Sequence, residues 1–550
     1  MNSSKIDLQD PSVAENEQIM DEMRILRFTS GNCITGGPRK ITENDITDIA
    51  APAVAEGARY RFYDYKFLKA VACNFQFQYT YVNSVNRWAK LNTINQYITD
   101  LKIISDTTAD GLVFSAKYGN LDNVIVLKTP LDDFYNLSTF HEFFIGGLFT
   151  NQLREWIPNF VFAIGIFKCS RPIRDAFDEK KVSTYCTSHR SRQLENVLPA
   201  DELALLKQTQ EKIDKYIDEG LYNEAVPLMR LIESGFAGGD VDRSLDNPVN
   251  YLVLENVPGG ITMSHLIRVK NLSVPTLLGF LFQLSTALEM ALKRFDFCHY
   301  DLHTNNILMR YIAGPQMESR IGNKRKFVPL GYGKPDGSRY FVETEHIATI
   351  IDFGRCHVQY TNPFTNQTKH YGYHYAKRGG IYADQSRPAY DLFKLLGFMA
   401  RDICIAHDPE HTTGLRQLRE SPDEEGEILE MVVARRVFRH IPVEKIDFII
   451  KTFMFFPFFK KKYSGYSAIN PTVRLRVIFW IYEQLEADKF NLDDRWPEAD
   501  TDPLKQDVYE NFYSYLREIF PQEVGQILWT RDTLPDNAYV FSCEFQACPV

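Results

Sequence analysis

His299-Tyr300-Asp301-Leu302-His303-Thr304-Asn305-Asn306 and, after a long gap, Ile350-Ile351-Asp352-Phe353-Gly354 are the stretches whose reading decides the fold. Just upstream, Leu277, Leu281, Leu284, Leu288, Leu292 and Phe295 recur at helical spacing. Ser273 and Pro275 supply an N-cap and a first-turn proline, so a long helix is predicted to end shortly before Asp301. Asn306 to Met309 and Ala348 to Ile351 read as short strands, with Asn306 opening one and Asp352 following the other. A rigid helix end and a strand pair can hold side chains to the tolerance that chemistry demands. A single Asp or Asn in a loop is ordinarily a turn former, but here the residues recur in a fixed order with an Asp-Phe-Gly after a strand.

Composition narrows the classes that remain. At 44% hydrophobic and 24% charged, the 550 residues have enough apolar mass for a large core, unlike a disordered chain. The formal charge of -9 opposes a nonspecific nucleic-acid binder, which needs a basic face to displace counterions from phosphates. The 9 cysteines form no C-x-x-C pair and are odd in number, so neither a disulfide framework nor a zinc cage is expected, and a reducing intracellular compartment fits. The first residues lack the apolar core of a signal peptide and the second-position glycine of a myristoylation site. The most apolar stretch, Val274 to Leu292, contains Thr276, Gln283, Ser285 and Glu289, and reads as a buried helix rather than a membrane span.

Outward from the two motifs, strands are expected at Gly111 to Lys117 and Val124 to Lys128, joined by a turn at Tyr118-Gly119-Asn120 in an antiparallel meander. A helical stretch from Leu137 to Glu155 follows, then strands at Phe160 to Phe167 and Tyr251 to Glu255. Residues 171–248 read as an insertion, with a helix over Asp201 to Glu219 and a breaker at Gly235 to Asp240. Residues from about Tyr311 to Glu345 read as an inserted hairpin or loop turning at Pro335-Asp336-Gly337. Beyond Phe398 the chain reads helical to about Leu485, and 486–550 reads as a polar, aromatic tail. The aromatic density of Tyr60 to Trp88 indicates folded structure within residues 1–98, with no assignable function.

These residues resemble the protein-kinase superfamily over roughly Ile103 to Leu485, and His299 to Leu308, Ile157 to Phe162 and Phe167 to Ser170 resemble divergent serine/threonine kinases of large DNA viruses, the iridoviruses among them. The resemblance implies an α+β, bilobal protein-kinase-like fold, a small antiparallel β lobe and a larger mainly helical lobe with Mg-ATP in the cleft between them. The corresponding domains are an extension at 1–98, the small lobe at 99–260 with its insertion at 171–248, the large lobe at 261–485 with its insertion at 311–345, and an extension at 486–550. It further implies transfer of the γ-phosphate of ATP to protein Ser or Thr hydroxyls. Asp301 would be the base, and Asn306 and Asp352 would bind Mg2+ or Mn2+. Lys128 would contact the α- and β-phosphates, with Glu142 as its orienting partner and Glu155 as the rival for that place. Gly111 and Val113 would lie against the nucleotide, Leu254 would border the base, and backbone groups from Glu255 to Val257 would hydrogen-bond adenine. Asp391 would hold the backbone of the catalytic loop.

The chain departs from the family pattern in four places. Asp106 to Gly111 keeps only the last glycine of a G-x-G-x-x-G turn, and Asp106 and Asp110 would repel phosphate. Tyr300 replaces the Arg that senses a phosphorylated activation loop, and no Ala-Pro-Glu follows Asp352. His303 replaces the usual Lys, and Asp-Leu-His also occurs in haspin-like kinases and in aminoglycoside- and choline-type phosphotransferases. Two rival readings therefore stand beside the protein kinase: a small-molecule kinase on the same fold, and a catalytically inactive scaffold. A protein substrate is expected as partner, with no nucleic acid and no membrane span.

Overall fold

The computed structural model describes residues 98–108, 111–118, 121–130, 136–154, 156–169, 172–174, 177–183, 249–257, 260–311, 328–333, 339–361, 368–372, 386–407, 441–457, 459–460, 507–529 and 539–541, and the single positions Leu68, Val71, Ala72, Phe75, Gln208, Lys212 and Lys215. The chain divides into two compact units, Met1–Asn151 with Val161–Asn256, and Gln152–Phe160 with Val257–Val550. The architecture is α+β with antiparallel sheets and several helices. Glu155 and most of the 171–248 insertion lie outside the described residues.

The first unit is built on strands β1 (Ile98–Thr108), β2 (Gly111–Tyr118) and β3 (Leu121–Pro130), helix α1 (Asn136–Ile145), strand β4 (Ala163–Cys169), the short pair β5 (Ile173–Arg174) and β6 (Val182–Ser183), and strand β7 (Val249–Glu255). The five-stranded sheet runs β1-β2-β3-β7-β4, and every pairing in it is antiparallel. The strands expected at Gly111 to Lys117 and Val124 to Lys128 are present as β2 and β3, and β1 adds a strand ahead of them that was not expected. Strand β7 lies between β3 and β4 and is buried along its whole length, which is why Tyr251 to Leu254 reads as an apolar run without alternation. On β2, by contrast, Phe114, Ala116 and Tyr118 alternate into the core.

Leu68, Val71, Ala72 and Phe75 are helical, spaced to share one face, and buried in the same core as Phe114, Leu127, Phe167 and Tyr251. A Cβ at Gly165 would meet the Phe75 ring at 2.2 Å, so the glycine in β4 makes room for this helix. Gly111 is fixed by a similar constraint: its Cβ would lie 2.2 Å from the Thr129 carbonyl oxygen on β3. Helix α1 continues through a π-helical turn at Gly146–Thr150 and a helical turn at Asn151–Leu153. The strand expected from Phe160 begins only at Ala163, where the Asn151 side chain bonds both the Ala163 N–H (2.8 Å) and its carbonyl oxygen (2.7 Å).

The second unit comprises β8 (Ile261–Thr262), helices α2 (Met263–Lys270) and α3 (Val274–Phe295), strands β9 (Ile307–Tyr311), β10 (Val328–Gly333), β11 (Arg339–Thr344), β12 (His346–Ile350), β13 (Val358–Thr361) and β14 (Thr368–Tyr371), helices α4 (Pro388–His407), α5 (Val443–Phe453), α6 (Val508–Ile519) and α7 (Pro521–Ile527), and strands β15 (Leu528–Trp529) and β16 (Tyr539–Phe541). Ser273 caps α3 by accepting the Thr276 N–H at 3.3 Å, with a proline in the first turn. By length and composition α3 could cross a membrane, yet 89% of its most apolar window is buried inside the protein. Gln283 and Glu289 find partners there, whereas the Ser285 hydroxyl is buried without a hydrogen-bond partner among the described residues. The Gln283 amide donates to the His346 carbonyl (3.1 Å) and accepts the Ala348 N–H (3.0 Å), serving as a surrogate neighbour for β12. Glu289 takes a 2.8 Å bond from Lys293 one turn on.

The inserted segment before β12 forms the β10–β11 hairpin, and residues 334–338, which include the expected turn, lie outside the described residues. The described residues of 486–550 are not a tail. Val508, Tyr509, Phe512, Tyr513 and Leu516 bury one face of α6, with Tyr513 edge-on to Phe282 of α3 at 4.9 Å and Phe512 edge-on to Phe455 at 5.0 Å. Strands β15 and β16 extend the β10–β11 sheet at its two edges. The polar residues between these apolar positions hid a helical period. Phe512→Ala is therefore expected to destabilise the protein by about 3–5 kcal/mol in urea unfolding followed by circular dichroism, the usual cost of emptying a fully buried phenylalanine site. A tail residue would show about 0.5 kcal/mol or less.

Candidate functional site

The loop from His299 to Asn306 leaves the end of α3 and is held by one stripe of α4. Asp391, Lys394, Phe398 and Asp402 follow one another at helical spacing, and each touches this loop. The Asp391 carboxylate accepts the backbone N–H groups of His299 and Tyr300, both at 2.7 Å. Lys394 donates to Asp301, and the Phe398 ring lies 4.9 Å from that of His303. The buried Asp402 accepts the Thr304 hydroxyl at 2.5 Å and two bonds from Arg268 of α2, at 2.8 and 2.5 Å. Burial pushes the Asp391 carboxyl up, and the bonds from His299 and Tyr300 only partly offset that effect.

Asn306 and Asp352 flank the β9–β12 pair, in which Ile307 faces Ile350. Asn306 stands before the first residue of β9 and Asp352 two residues after the last of β12, so the antiparallel pairing brings them to the same end. The Ile351 N–H donates to the Asn306 carbonyl at 3.0 Å. His299 joins the two segments again, its Nε2–H donating to the Ile351 carbonyl (2.9 Å) while Nδ1 accepts the Asp301 N–H (3.3 Å). Phe353 packs against His299 and Phe160, with centroids 6.1 and 6.4 Å away. Tyr300 (φ 60°) and Asp352 (φ 66°) both adopt the left-handed conformation, a backbone cost that such a network can impose.

This donor set fits a hard divalent cation. The Asn306 Nδ2 donates to the Asp301 carbonyl at 3.0 Å, which leaves the carboxamide oxygen as the end able to bind an ion. The carboxamide oxygen and the Asp352 carboxylate are both oxygen donors, the type Mg2+ and Mn2+ take.

Two cations, Lys394 and Arg355, lie against Asp301, with the His303 imidazole beside them. Burial alone would raise its proton affinity, but Lys394, then Arg355 (3.6 Å) and His303 (3.9 Å), outweigh it and hold the carboxyl well below the usual carboxylate range. Burial likewise pulls His303 down to about 4, against the attraction of Asp301, so the imidazole is neutral at physiological pH. Its Nδ1 is buried without a hydrogen-bond partner.

In the first unit the structure brings Lys128 and Glu142 together. The Lys128 ammonium, on β3, donates to the buried Glu142 carboxylate on α1 at 2.7 Å. Val113 faces Lys128 across the β2–β3 ladder, and Leu254 faces Val126 across the next. Two backbone groups expected to meet a base are already committed. The Glu255 N–H donates to the Phe162 carbonyl (2.9 Å), and the Val257 carbonyl accepts the Gly260 N–H (2.9 Å). The Glu255 carboxylate in turn accepts the Phe162 N–H at 3.2 Å.

Sequence reasoning missed Lys394, Asp402 and Arg355. A charged line at helical spacing in the otherwise apolar Tyr390 to Cys404 was the available signal, since three charges on a buried face require partners.

No family model matches the chain. The chain is similar to the protein described as "Probable kinase 098L" of Invertebrate iridescent virus 3, 30% identical over 139 residues. That match covers 25% of this chain and 22% of the relative, so the chain spans about a fifth of the curated relative's length. The similarity supports a kinase-like relationship.

Proposed function

We propose that this protein is a Mg-ATP-dependent protein kinase, encoded by a large DNA virus, that transfers the γ-phosphate to serine or threonine hydroxyls, and that its fold is the bilobal one of that superfamily. The observation that carries the reading is the network joining Asp301, Asn306 and the Asp352 segment, clamped from behind by one face of α4. Asn306 and Asp352 hold Mg2+, or Mn2+, which when bound neutralises charge on the transferring phosphoryl group. Lys128, fixed by Glu142, steadies the α- and β-phosphates. Asp301 orients the acceptor hydroxyl and takes its proton as the new O–P bond forms and the bond to the β-phosphate breaks. Its depressed pKa favours positioning, with the proton arriving late, over early deprotonation. Leu254 and backbone groups near Glu255 to Val257 border the base, and Gly111 and Val113 line the nucleotide from the sheet. A reducing intracellular compartment suits the buried thiols of Cys298, Cys356 and Cys404.

The second reading, a small-molecule phosphotransferase, is favoured by the neutral His303 where protein-directed enzymes carry a lysine. Lys394, which reaches Asp301 from α4, supplies the missing cation and supports the protein-kinase reading. The discriminating experiment offers γ-labelled ATP and Mg2+ with generic protein substrates and, separately, with a panel of aminoalcohols and aminoglycosides. Label in protein Ser or Thr is the expected result. Label confined to the small molecules would transfer the assignment to the second reading.

A further inference from the structure

Asp296, His357 and His370 bring one carboxylate oxygen and two imidazole nitrogens within 4.8 Å of one another, on three separate segments of the second unit. Asp296 follows α3 in a left-handed turn (φ 48°) and accepts the Ser386 hydroxyl at 2.5 Å. His357 is buried, its backbone paired both ways with Cys298 (3.0 and 2.8 Å). His370, exposed on β14, lies diagonally across the β13–β14 ladder on the face that His357 shares.

From this arrangement we infer that Asp296, His357 and His370 bind a borderline divalent transition ion, Zn2+ foremost. The His357 Nδ1 lies 3.1 Å from the Asp296 backbone carbonyl, an acceptor only, so Nδ1 carries the proton and Nε2 the lone pair. Orientation of a ligating imidazole by a carbonyl behind it is a common feature of zinc sites. That Nε2 faces the His370 Nδ1 at 3.2 Å. Two nitrogens each about 2.0–2.1 Å from a tetrahedral zinc lie about 3.3 Å apart, so the pair is spaced for one ion. On binding, His370 shifts its proton from Nδ1 to its other nitrogen and the ion takes the place of that proton. Two imidazoles with one carboxylate select against Mg2+ and Ca2+, which prefer oxygen, and the exposure of His370 leaves a fourth position for water.

The consequence is a clip. The ion ties the β13–β14 hairpin, which follows Asp352, to the end of α3, which precedes Asp301. The site uses none of the residues assigned to phosphoryl transfer and does not depend on that reading.

The test titrates Zn2+ into chelator-stripped full-length protein against a chromophoric competitor, in excess Mg2+. Wild type is compared with His370→Ala, with Asp296→Asn, whose side chain the left-handed turn tolerates, and with the exposed control His265→Ala. Loss of a hydrogen-bonded supporter of a ligand costs about 10–100-fold in affinity, so loss of a ligand is expected to cost on the order of 100-fold or more. One tightly held Zn2+ per chain in wild type and His265→Ala, weakened in both site variants, is the expected result. No stoichiometric Zn2+ in wild type, or unchanged binding in His370→Ala and Asp296→Asn, would overturn the inference and leave a plain His–His hydrogen bond.

Discussion

Asp391→Ala is expected to lower folding stability by about 2–5 kcal/mol, since it strands two buried backbone N–H groups, those of His299 and Tyr300, each costing about 1–3 kcal/mol unpaired. Burial of the carboxylate works against part of that loss. Asp391 is itself raised in pKa by desolvation, and the smaller alanine relieves this. The variant therefore separates two contributions, and the position of the loop dominates. Because Tyr300 sits in the left-handed region, release of its N–H lets the backbone relax and moves Asp301 away from Lys394. Urea unfolding by circular dichroism measures the stability change. A shift below about 0.5 kcal/mol would mean that Asp391 does not organise the loop.

What the sequence made legible was local. The cap and apolar face of α3, the β9–β12 strands and the β2–β3 hairpin follow from spacing and from residues that start or stop elements. Glu142 could be singled out for Lys128 because helix α1 follows β3 closely in the chain. Long-range partnership left weaker traces. Lys394 reaches Asp301 across 93 positions of sequence, and nothing in either stretch alone names the other. Charges on the buried face of α4 showed only that partners exist. Leu68 to Phe75 carried a helical stripe with no neighbouring motif to place it, and the sheet core turned out to be its partner. The α6 stripe was diluted by Glu510, Asn511 and Ser514, so aromatic residues that bury against α3 read as scattered. The Glu255 N–H illustrates the reverse limit, because a strand end that suggests an open donor is already bonded to Phe162.

Asp301→Asn has the largest expected effect on activity. The substitution keeps the shape of the side chain and an oxygen facing Lys394, while removing the charge that Lys394 and Arg355 surround. Loss of a positioned proton acceptor costs about 10²–10⁴-fold in rate. Nucleotide affinity should hold or rise, since one negative charge near a triphosphate is gone and two cations lose their competitor. A fall in rate with binding preserved is the signature of a group that acts only in the transition state. The measurement is labelled phosphate passed from γ-labelled ATP in Mg2+ to the purified full-length chain and to a generic protein substrate, wild type beside Asp301→Asn. Label with wild type and about 10²–10⁴-fold less with the variant is the predicted result. Equal labelling by the two proteins, or none by wild type, contradicts the account.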